Sequence, residues 1–193
     1  MKTTTRLFNA VLIAAAGLLA GHSAKAGAPG SFAPVLELGA EQLTIRGSGT
    51  AYYARLIRVY DAALYAPAGS PAADLVEGST PRCLQIEYRR AVSKDIIIEA
   101  ADTVLRRQGV PVAALQGRLD RLKNAYRDVG PGDRYQLCHA PGGDTRLSLN
   151  GEELIRIPGE DFAVAYFGIW LRDGAISDEL RSALLADGAA PTT

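Results

Sequence analysis

The stretch of sequence that decides the fold is Gly47-Ser-Gly-Thr-Ala-Tyr-Tyr-Ala-Arg-Leu-Ile-Arg-Val-Tyr-Asp-Ala-Ala-Leu-Tyr65. It opens with a GxG pattern typical of a tight turn and continues as a long segment rich in β-branched and aromatic residues. Its two alternating sets of residues are both largely apolar, and each carries one arginine, Arg55 or Arg58. The pattern predicts one long strand that is covered on both faces. Because an unpaired buried charge is unfavourable, these arginines need partners, and we expect any binding site to lie near this strand.

Residues 1–26 have the pattern of an export signal. Lys2 and Arg6 give a basic start, an apolar run follows from Leu7 to Ala20, and Ala24-Lys25-Ala26 fits the small-x-small cleavage pattern. The alternative is an N-terminal transmembrane anchor, but the apolar run is shorter than the roughly 20 residues that a bilayer requires. The sequence therefore predicts a cleaved signal peptide and a mature protein that is periplasmic or secreted.

Length and charge indicate one soluble domain in the mature chain. Cleavage would remove Lys2, Arg6 and Lys25, so the formal net charge would change from 0 to −3. That balance provides no basic surface for nucleic acid. Residues 27–193 contain no internal repeat and no linker, and they are predicted to form a single domain with loose ends at 27–34 and 187–193.

The two cysteines, Cys83 and Cys138, each lie in a strand-like segment. In an oxidising compartment they could form a disulfide across neighbouring strands. The alternative is two separately buried thiols, and the sequence leaves both open. Two cysteines and one histidine in the mature chain, His139, are too few for a structural zinc site or a multi-histidine metal centre. A single histidine just past a strand is more typical of a surface residue than of a catalyst.

Turn and cap signals divide the rest of the mature chain into strands and helices. Ser93 and Ser177 are predicted helix caps, and Asn150-Gly151 is the strongest hairpin signal in the chain. The predicted strands are 82–89, 134–138, 145–149 and 154–157, and the first of them is expected to have one face toward the core. The predicted helices are 73–77, 93–109, a helix that Pro111 opens, 162–171 and 178–185, of which 162–171 is wholly apolar. This combination predicts an α+β fold with an antiparallel sheet and helices on one face.

Sequence motifs for catalysis are absent from the chain. GxSxG, a Walker loop, HExxH and a GxGxxG after a strand do not occur. The acidic residues are scattered, so their spacing defines no carboxylate pair. The sequence therefore contains no motif that defines a catalytic residue, a metal site or a cofactor site.

A series of short motifs resembles the bacterial branch of the chalcone isomerase family. The series comprises the GxG pattern, Val59-Tyr-Asp-Ala-Ala-Leu-Tyr65, Cys83-Leu-Gln-Ile-Glu-Tyr88, Pro131-Gly-Asp133, Leu149-Asn-Gly151, Pro158-Gly-Glu-Asp-Phe162, and Phe167-Gly-Ile-Trp-Leu171 followed by Ile176-Ser177. The series covers nearly all of the mature chain, in order. The resemblance implies an open-faced β-sandwich, in which a layer of helices covers one face of a large antiparallel sheet with a cleft between them. The family includes plant flavonoid isomerases, plastid fatty-acid-binding proteins and many bacterial secreted proteins.

The residues that the resemblance implies for isomerase chemistry are missing here. In the family's isomerases an arginine two residues after the GxG pattern supports the substrate's oxyanions, and in its fatty-acid binders the same arginine holds the carboxylate. In this sequence that position is Ala51. The isomerases also place a small hydroxyl residue on the helix that matches 162–171, where this chain has Ala163, Val164 and Ala165. The resemblance therefore favours a protein without isomerase activity.

Arg55 is the sequence's candidate to replace the missing arginine. By alternation along the predicted strand it lies on the same face as Ala51, with Tyr53 between them. An arginine beside a tyrosine hydroxyl can form an anion clamp. The alternative is a structural ion pair between Arg55 and an acid such as Asp61 or Glu87.

Tyr166 and Trp170 are candidates to line the cleft, since they are four residues apart on the apolar helix. The same spacing is also typical of aromatic residues in an ordinary core.

Three functions compete for this sequence. The one we predict is a secreted, non-enzymatic binder of an apolar small molecule with an acidic head, such as a fatty acid. The alternatives are a lyase or isomerase of chalcone-isomerase type, and a structural module of the cell envelope whose cleft is filled by its own side chains. The sequence leaves the oligomeric state open, and it predicts no cofactor, no nucleic-acid partner and no membrane span after signal cleavage.

Overall fold

A computed structural model describes residues 32–186. The predicted signal peptide at 1–26 and the predicted loose segments at 27–31 and 187–193 lie outside the described residues.

The described chain forms one antiparallel sheet with helices packed on it, which confirms the predicted α+β fold. The seven strands lie in the sheet in the order in which they occur in the sequence. They are β1 (Val35–Leu38), β2 (Glu41–Tyr53), β3 (Ile57–Ala66), β4 (Arg82–Tyr88), β5 (Arg134–His139), β6 (Thr145–Leu149) and β7 (Glu152–Ile157). The helices are α1 (Ala72–Glu77), α2 (Lys94–Arg107), α3 (Val112–Ala125), α4 (Glu160–Leu171) and α5 (Asp178–Leu185). Among residues 32–186, no helix combines the length and the apolar character that crossing a bilayer requires.

The stretch from Gly47 to Tyr65 is two strands, so the prediction of one long strand is wrong. The chain reverses after Tyr53, where Leu56 N donates to Tyr53 O at 3.2 Å. Ala54 and Arg55 have φ values of 49° and 62°. Positive φ at both central residues is the pattern of a type I′ turn, whose twist suits a hairpin. Strands β2 and β3 therefore pair with each other on either side of this turn.

The GxG pattern lies inside β2 and is not a turn. A Cβ atom on Gly47 would be 2.2 Å from Ala183 O and 2.6 Å from Leu184 O. A Cβ on Gly49 would be 2.9 Å from Ala183 Cβ. The two glycines therefore allow the backbone of α5 to lie directly against the strand.

Strand β4 is buried on both faces, whereas the sequence predicted one core-facing side. Leu84 and Ile86 face the helices. On the opposite face Cys83 packs in a second apolar cluster with residues of β1 and β2. Side chains of the first two strands, β1 and β2, therefore cover part of the outer face of the sheet.

Residues 32–34, part of the segment predicted to be loose, take part in this outer cover. Phe32 packs against the outer cluster. Tyr65 Oη donates to Ala33 O at 2.8 Å, and Ile45 N donates to Pro34 O at 3.3 Å.

Cys83 and Cys138 form a disulfide in the structure. They are directly opposite each other on β4 and β5, with a Cα–Cα distance of 4.1 Å. Both side chains are buried in the outer cluster.

Local signals place the helices where the sequence predicted them. The Ser93 side chain accepts from Ile96 N at the start of α2, and the Ser177 side chain accepts from Leu180 N at the start of α5. Asn150 and Gly151 both have positive φ in the β6–β7 hairpin. Helix α4 is buried on almost every side, as its continuous apolar sequence indicated.

Replacing Gly47 by alanine is expected to lower the free energy of unfolding by roughly 1–3 kcal/mol, because the new methyl group would overpack the backbone of α5. Gly117→Ala is the matched control, since Gly117 is exposed in α3 and a Cβ there meets no atom within 4 Å. That control should gain up to about 1 kcal/mol from the higher helix propensity of alanine. Denaturant unfolding measures both variants, and a G47A variant as stable as the wild type would contradict the close approach of α5.

Reduction of the purified protein is expected to add the mass of two hydrogen atoms, which intact-mass spectrometry measures. Because the disulfide joins residues 55 positions apart, the Cys83→Ala/Cys138→Ala double variant should lose about 2–4 kcal/mol of unfolding free energy. Wild type in reductant should show a similar loss. An unchanged mass on reduction would contradict the disulfide.

Candidate functional site

An aromatic layer lies between the sheet and the helices. We use this name for Tyr60 on β3, Tyr88 on β4, Tyr135 on β5, Tyr126 at the end of α3, and Tyr166 and Trp170 on α4. All six side chains are buried in the main core. The layer brings together two predicted cleft residues, Tyr166 and Trp170, with four tyrosines that the sequence analysis did not select.

The polar tips of the layer bond to groups within the protein. Tyr126 Oη and Tyr166 Oη are 2.7 Å apart, and Trp170 Nε1 donates to Tyr60 Oη at 3.1 Å. Tyr135 Oη donates to Arg127 O at 2.9 Å and accepts from Arg127 N at 2.8 Å. Two of these contacts join the sheet or α3 to α4, so the hydroxyl groups hold the two sides of the layer together.

The layer fills the space where the resemblance implied a cleft. Its rings pack edge to face, with ring centroids 5.2 Å apart for Tyr126 and Tyr135 and 6.2 Å apart for Tyr166 and Trp170. A cavity of about 10 Å³ lies beside the hydroxyls of Tyr126 and Tyr166, between α2, α3 and α4. That volume is about the minimum that holds one water molecule.

The small cavity, which we call the α2–α3 gap, has apolar walls and a charged edge. Its walls include Ile98, Ala101, Leu119 and Leu122. At its edge Lys123 Nζ and Asp102 Oδ2 form an ion pair at 2.8 Å that joins the two helices. The gap therefore lies between a partly exposed ion pair and the aromatic layer.

Burial keeps the tyrosines of the layer protonated. It raises the pKa of Tyr60 to about 12, although the hydrogen bond from Trp170 opposes the shift. Burial also raises the pKa values of Tyr88, Tyr126 and Tyr166. At neutral pH these hydroxyls are neutral hydrogen-bonding groups, and none of them is a phenolate base.

Arg82 is fully buried on the helix-facing side of β4, at the opposite end of the strand from Tyr88. Its guanidinium carbon lies 4.4 Å from the centroid of the Phe167 ring, a cation–π contact. Nη1 donates to Thr80 O at 3.4 Å, whereas Nε and Nη2 have no hydrogen-bond partner within residues 32–186. Burial lowers the pKa of Arg82 to about 10, so the guanidinium remains charged at neutral pH.

His139 pairs with Arg82 across β4 and β5 and is fully buried, so its predicted surface location is wrong. His139 Nε2 lies 2.7 Å from Glu160 Oε2, and His139 Nδ1 lies 3.3 Å from Thr145 Oγ1. Gly142 N donates to Glu160 Oε1 at 2.5 Å. The hydrogen bond with His139 is the main cause of a lowered pKa for Glu160.

The expected position of Arg55 on a cleft-lining strand face is wrong. The residue occupies the exposed turn between β2 and β3, because the backbone reverses there with positive φ. Tyr53 is the last residue of β2 and is half-buried. The structure therefore does not bring Arg55 into the layer with Tyr166 and Trp170.

The alternative partners suggested for Arg55 are occupied by other arginines. Asp61 accepts from Arg58 and Arg89, with Oδ2 2.5 Å from a nitrogen of each. Glu87 pairs with Arg89 and Arg134. Burial alone would raise the pKa of Asp61, but hydrogen bonds from Arg58, Thr50 and Arg89 outweigh burial and lower it. This network lies on the outer face and is structural.

An open groove of about 370 Å³ lies on the same outer face. Its polar side chains bond to one another or to neighbours: Gln85 Nε2 donates to Gln136 Oε1 at 2.7 Å, and Asn150 Nδ2 donates to Asp133 Oδ1 at 2.8 Å. The groove therefore offers a ligand few polar groups in need of a partner. Among residues 32–186, no three acidic, histidine or cysteine side chains are grouped to hold a metal ion.

Stability is expected to fall as the pH rises above about 10, because the folded layer holds protons that unfolded tyrosines release. The pKa of Tyr60 is about 12 in the folded protein, against an ordinary value of 10.0. Tyr60 therefore accounts for about 3 kcal/mol of this loss once the pH exceeds both pKa values. Denaturant unfolding between about pH 9 and pH 12 measures the loss, and Tyr60→Phe should make the loss smaller. Tyr52→Phe is the control, since Tyr52 is exposed. A loss in Tyr60→Phe as large as that of the wild type over this pH range would contradict the raised pKa of Tyr60.

Comparison with known proteins agrees with this architecture. Residues 26–186 match the model of a family described as chalcone isomerase-like. A crystal structure of a fatty-acid binding protein from Arabidopsis thaliana superposes with a TM-score of 0.59 at 13% sequence identity, covering 74% of this chain and 86% of that one. No curated protein matches the sequence. Because the family match extends over most of the chain, the protein belongs to the chalcone isomerase-like family.

Proposed function

We propose that this protein is a non-enzymatic carrier of an apolar small molecule, a fatty acid or a compound of similar character. We further propose that it acts in the periplasm or outside the cell. The N-terminal pattern of residues 1–26 supports export, and the Cys83–Cys138 disulfide fits an oxidising compartment. The name of the Arabidopsis protein, which shares the fold, supports the class of ligand.

The observation that carries the proposal is the α2–α3 gap. Ligand sites in proteins are mostly apolar and have a small number of polar groups that orient the ligand. The gap has apolar walls from α2 and α3, the Tyr126–Tyr166 hydroxyl pair at one side and the Lys123–Asp102 ion pair at the other. A ligand would enter by separating α2 from α3 and would then displace the aromatic side chains.

A second candidate function is an interaction module whose interior is filled by its own side chains. The observation in its favour is the cavity volume of about 10 Å³. Ligand pockets have volumes of roughly 300–1,000 Å³. The carrier proposal therefore requires an opened conformation that the ligand stabilises, whereas the module requires none.

Isomerase activity has no comparable observation in its favour. Ala51 is buried in the main core and is paired with Tyr60 across β2 and β3. Its methyl group supplies no charge to a developing oxyanion, which is the interaction that the reaction needs.

The carrier proposal is tested by titrating the purified protein with a fluorescent fatty-acid probe and by native mass spectrometry of protein taken directly from cells. We expect saturable probe binding and a co-purified lipid. Ala101→Phe should weaken probe binding, because its ring would fill the α2–α3 gap. Ala113→Phe is the matched control, since Ala113 is exposed on α3 and is not part of the gap.

Equal loss of binding in the two alanine variants would show that the gap is not the site. Absence of both lipid and probe binding in the wild type would contradict the carrier proposal and favour the interaction module.

A further inference from the structure

The buried guanidinium of Arg82 has one edge without a partner. Nε and Nη2 lie on the same edge of the planar group, and neither has a hydrogen-bond partner within the described chain. The side chain is 0% exposed, so bulk water does not reach these donors. A buried donor without a partner is unfavourable and points to a missing bonding group.

The same edge binds carboxylates elsewhere in this protein. Arg58 donates from Nε and Nη2 to the two carboxylate oxygens of Asp61, at 2.9 Å and 2.5 Å. Arg156 uses the same two nitrogens for Glu153, at 2.7 Å and 2.9 Å. The edge that is unpaired in Arg82 is therefore the edge that holds a carboxylate in a two-point contact.

The carboxylate of Glu160 does not fill this edge. Glu160 interacts electrostatically with Arg82, but its two oxygens bond to His139 Nε2 and to Gly142 N. In the part of the chain that the structure describes, the cation of Arg82 therefore has no directly bonded anion. A buried charge in that state favours binding of an external anion.

The surroundings of Arg82 combine the charge with an apolar environment. Phe167 packs against the guanidinium, and Leu84 and Leu64 face the same core at the next positions toward the aromatic layer. A ligand with a carboxylate at Arg82 would extend its chain along these side chains. A small polar anion would leave the apolar surface uncovered.

We infer that the Nε–Nη2 edge of Arg82 binds the carboxylate of an apolar monocarboxylic acid whose chain lies toward the aromatic layer. The inference rests on the proposed carrier function and names the head-group site. Ala51 is paired with Tyr60, and Tyr60 with Tyr88, at the opposite end of β4 from Arg82. The acid therefore binds with its head at the end of the sheet remote from Ala51.

A ligand that enters through the α2–α3 gap also needs room beside Arg82, which is covered by α1 and the turn after it. A Cβ on Gly78 would be 3.2 Å from Nη1 and Nη2 of Arg82 and 2.8 Å from Val164 Cγ2, so this turn covers the guanidinium closely. Helix α1 has six residues, no side-chain cap and one buried residue, Leu75. Displacing α1 costs little buried apolar surface compared with displacing α4.

The test compares the binding of dodecanoate and methyl dodecanoate to the full protein by calorimetry. The wild type should bind the acid at least roughly tenfold more tightly, because the ester cannot make two charge-assisted hydrogen bonds. Arg82→Met should reduce this preference to about one while preserving ester binding. Arg156→Met is the matched control and should keep the preference, since Arg156 lies on the surface.

Thermal unfolding of the ligand-free variants gives a second readout. R82M is expected to unfold no earlier than the wild type, because replacing an unpaired buried charge by an apolar side chain removes a desolvation penalty. If R82M does not fold, Arg82→Lys serves instead, since it keeps the charge but lacks the two-point edge. Its preference for the acid should fall below that of the wild type.

The possible failures are distinguishable. If R82M, or R82K in its place, retains the full preference for the acid, the head-group inference is wrong and the carrier function stands. If the wild type binds the acid and the ester equally well, the head-group inference is likewise wrong and the carrier function stands. If the wild type binds neither compound, the carrier proposal fails and the inference fails with it.

Discussion

Helix α4 has no side that can face water, and the arrangement of its neighbours follows from that constraint. Nine of its residues are buried, including glycine and alanine as well as large aromatic side chains. The sheet covers one side, and α1, α2 and α5 pack against the others. Helix α5 can lie close enough to cover α4 because Gly47 and Gly49 allow it to contact the backbone of β2. A side chain at either glycine would move α5 outward and expose part of α4.

Burial on both faces of the central strands imposes a second requirement, which is that polar groups find partners inside the protein. The outer face meets it with a network in which Asp61 and Glu87 are each bonded to two arginines. The inner face meets it with hydroxyl pairs and with the contacts of His139. Arg82 departs from this pattern, since two of its nitrogens have no hydrogen-bond partner among residues 32–186. A fold that pairs its other central charges has a reason to leave one unpaired if a ligand completes it.

Signals confined to a few residues predicted most of the elements. Ser93, Ser177 and Asn150-Gly151 act on their own backbone, so their effects could be inferred without knowledge of the rest of the chain. The reversal after Tyr53 could not, because Ala54 and Arg55 are poor candidates for positive φ. The pairing of β2 with β3 imposes that turn. A local sequence pattern does not show which strands pair with each other, so it could not predict the turn. The misplacement of Arg55 follows directly from this one missed turn.

The candidate site was predictable to the extent that it lies on α4. Tyr166 and Trp170 follow from the apolar pattern of that helix, whereas Tyr126 and Tyr135 join them only because α3 and β5 fold back over it. Arg82 and His139 become buried through the cover that α1 and α4 provide, and nothing in their immediate sequence distinguishes them from surface residues. The α2–α3 gap holds a cavity of about 10 Å³ beside α4, and the turn at Gly78 follows α1, a helix with one buried residue. Opening at these two places would leave the backbone of α4 where it is, and a ligand in the layer would displace the side chains of Tyr166 and Trp170 from that helix.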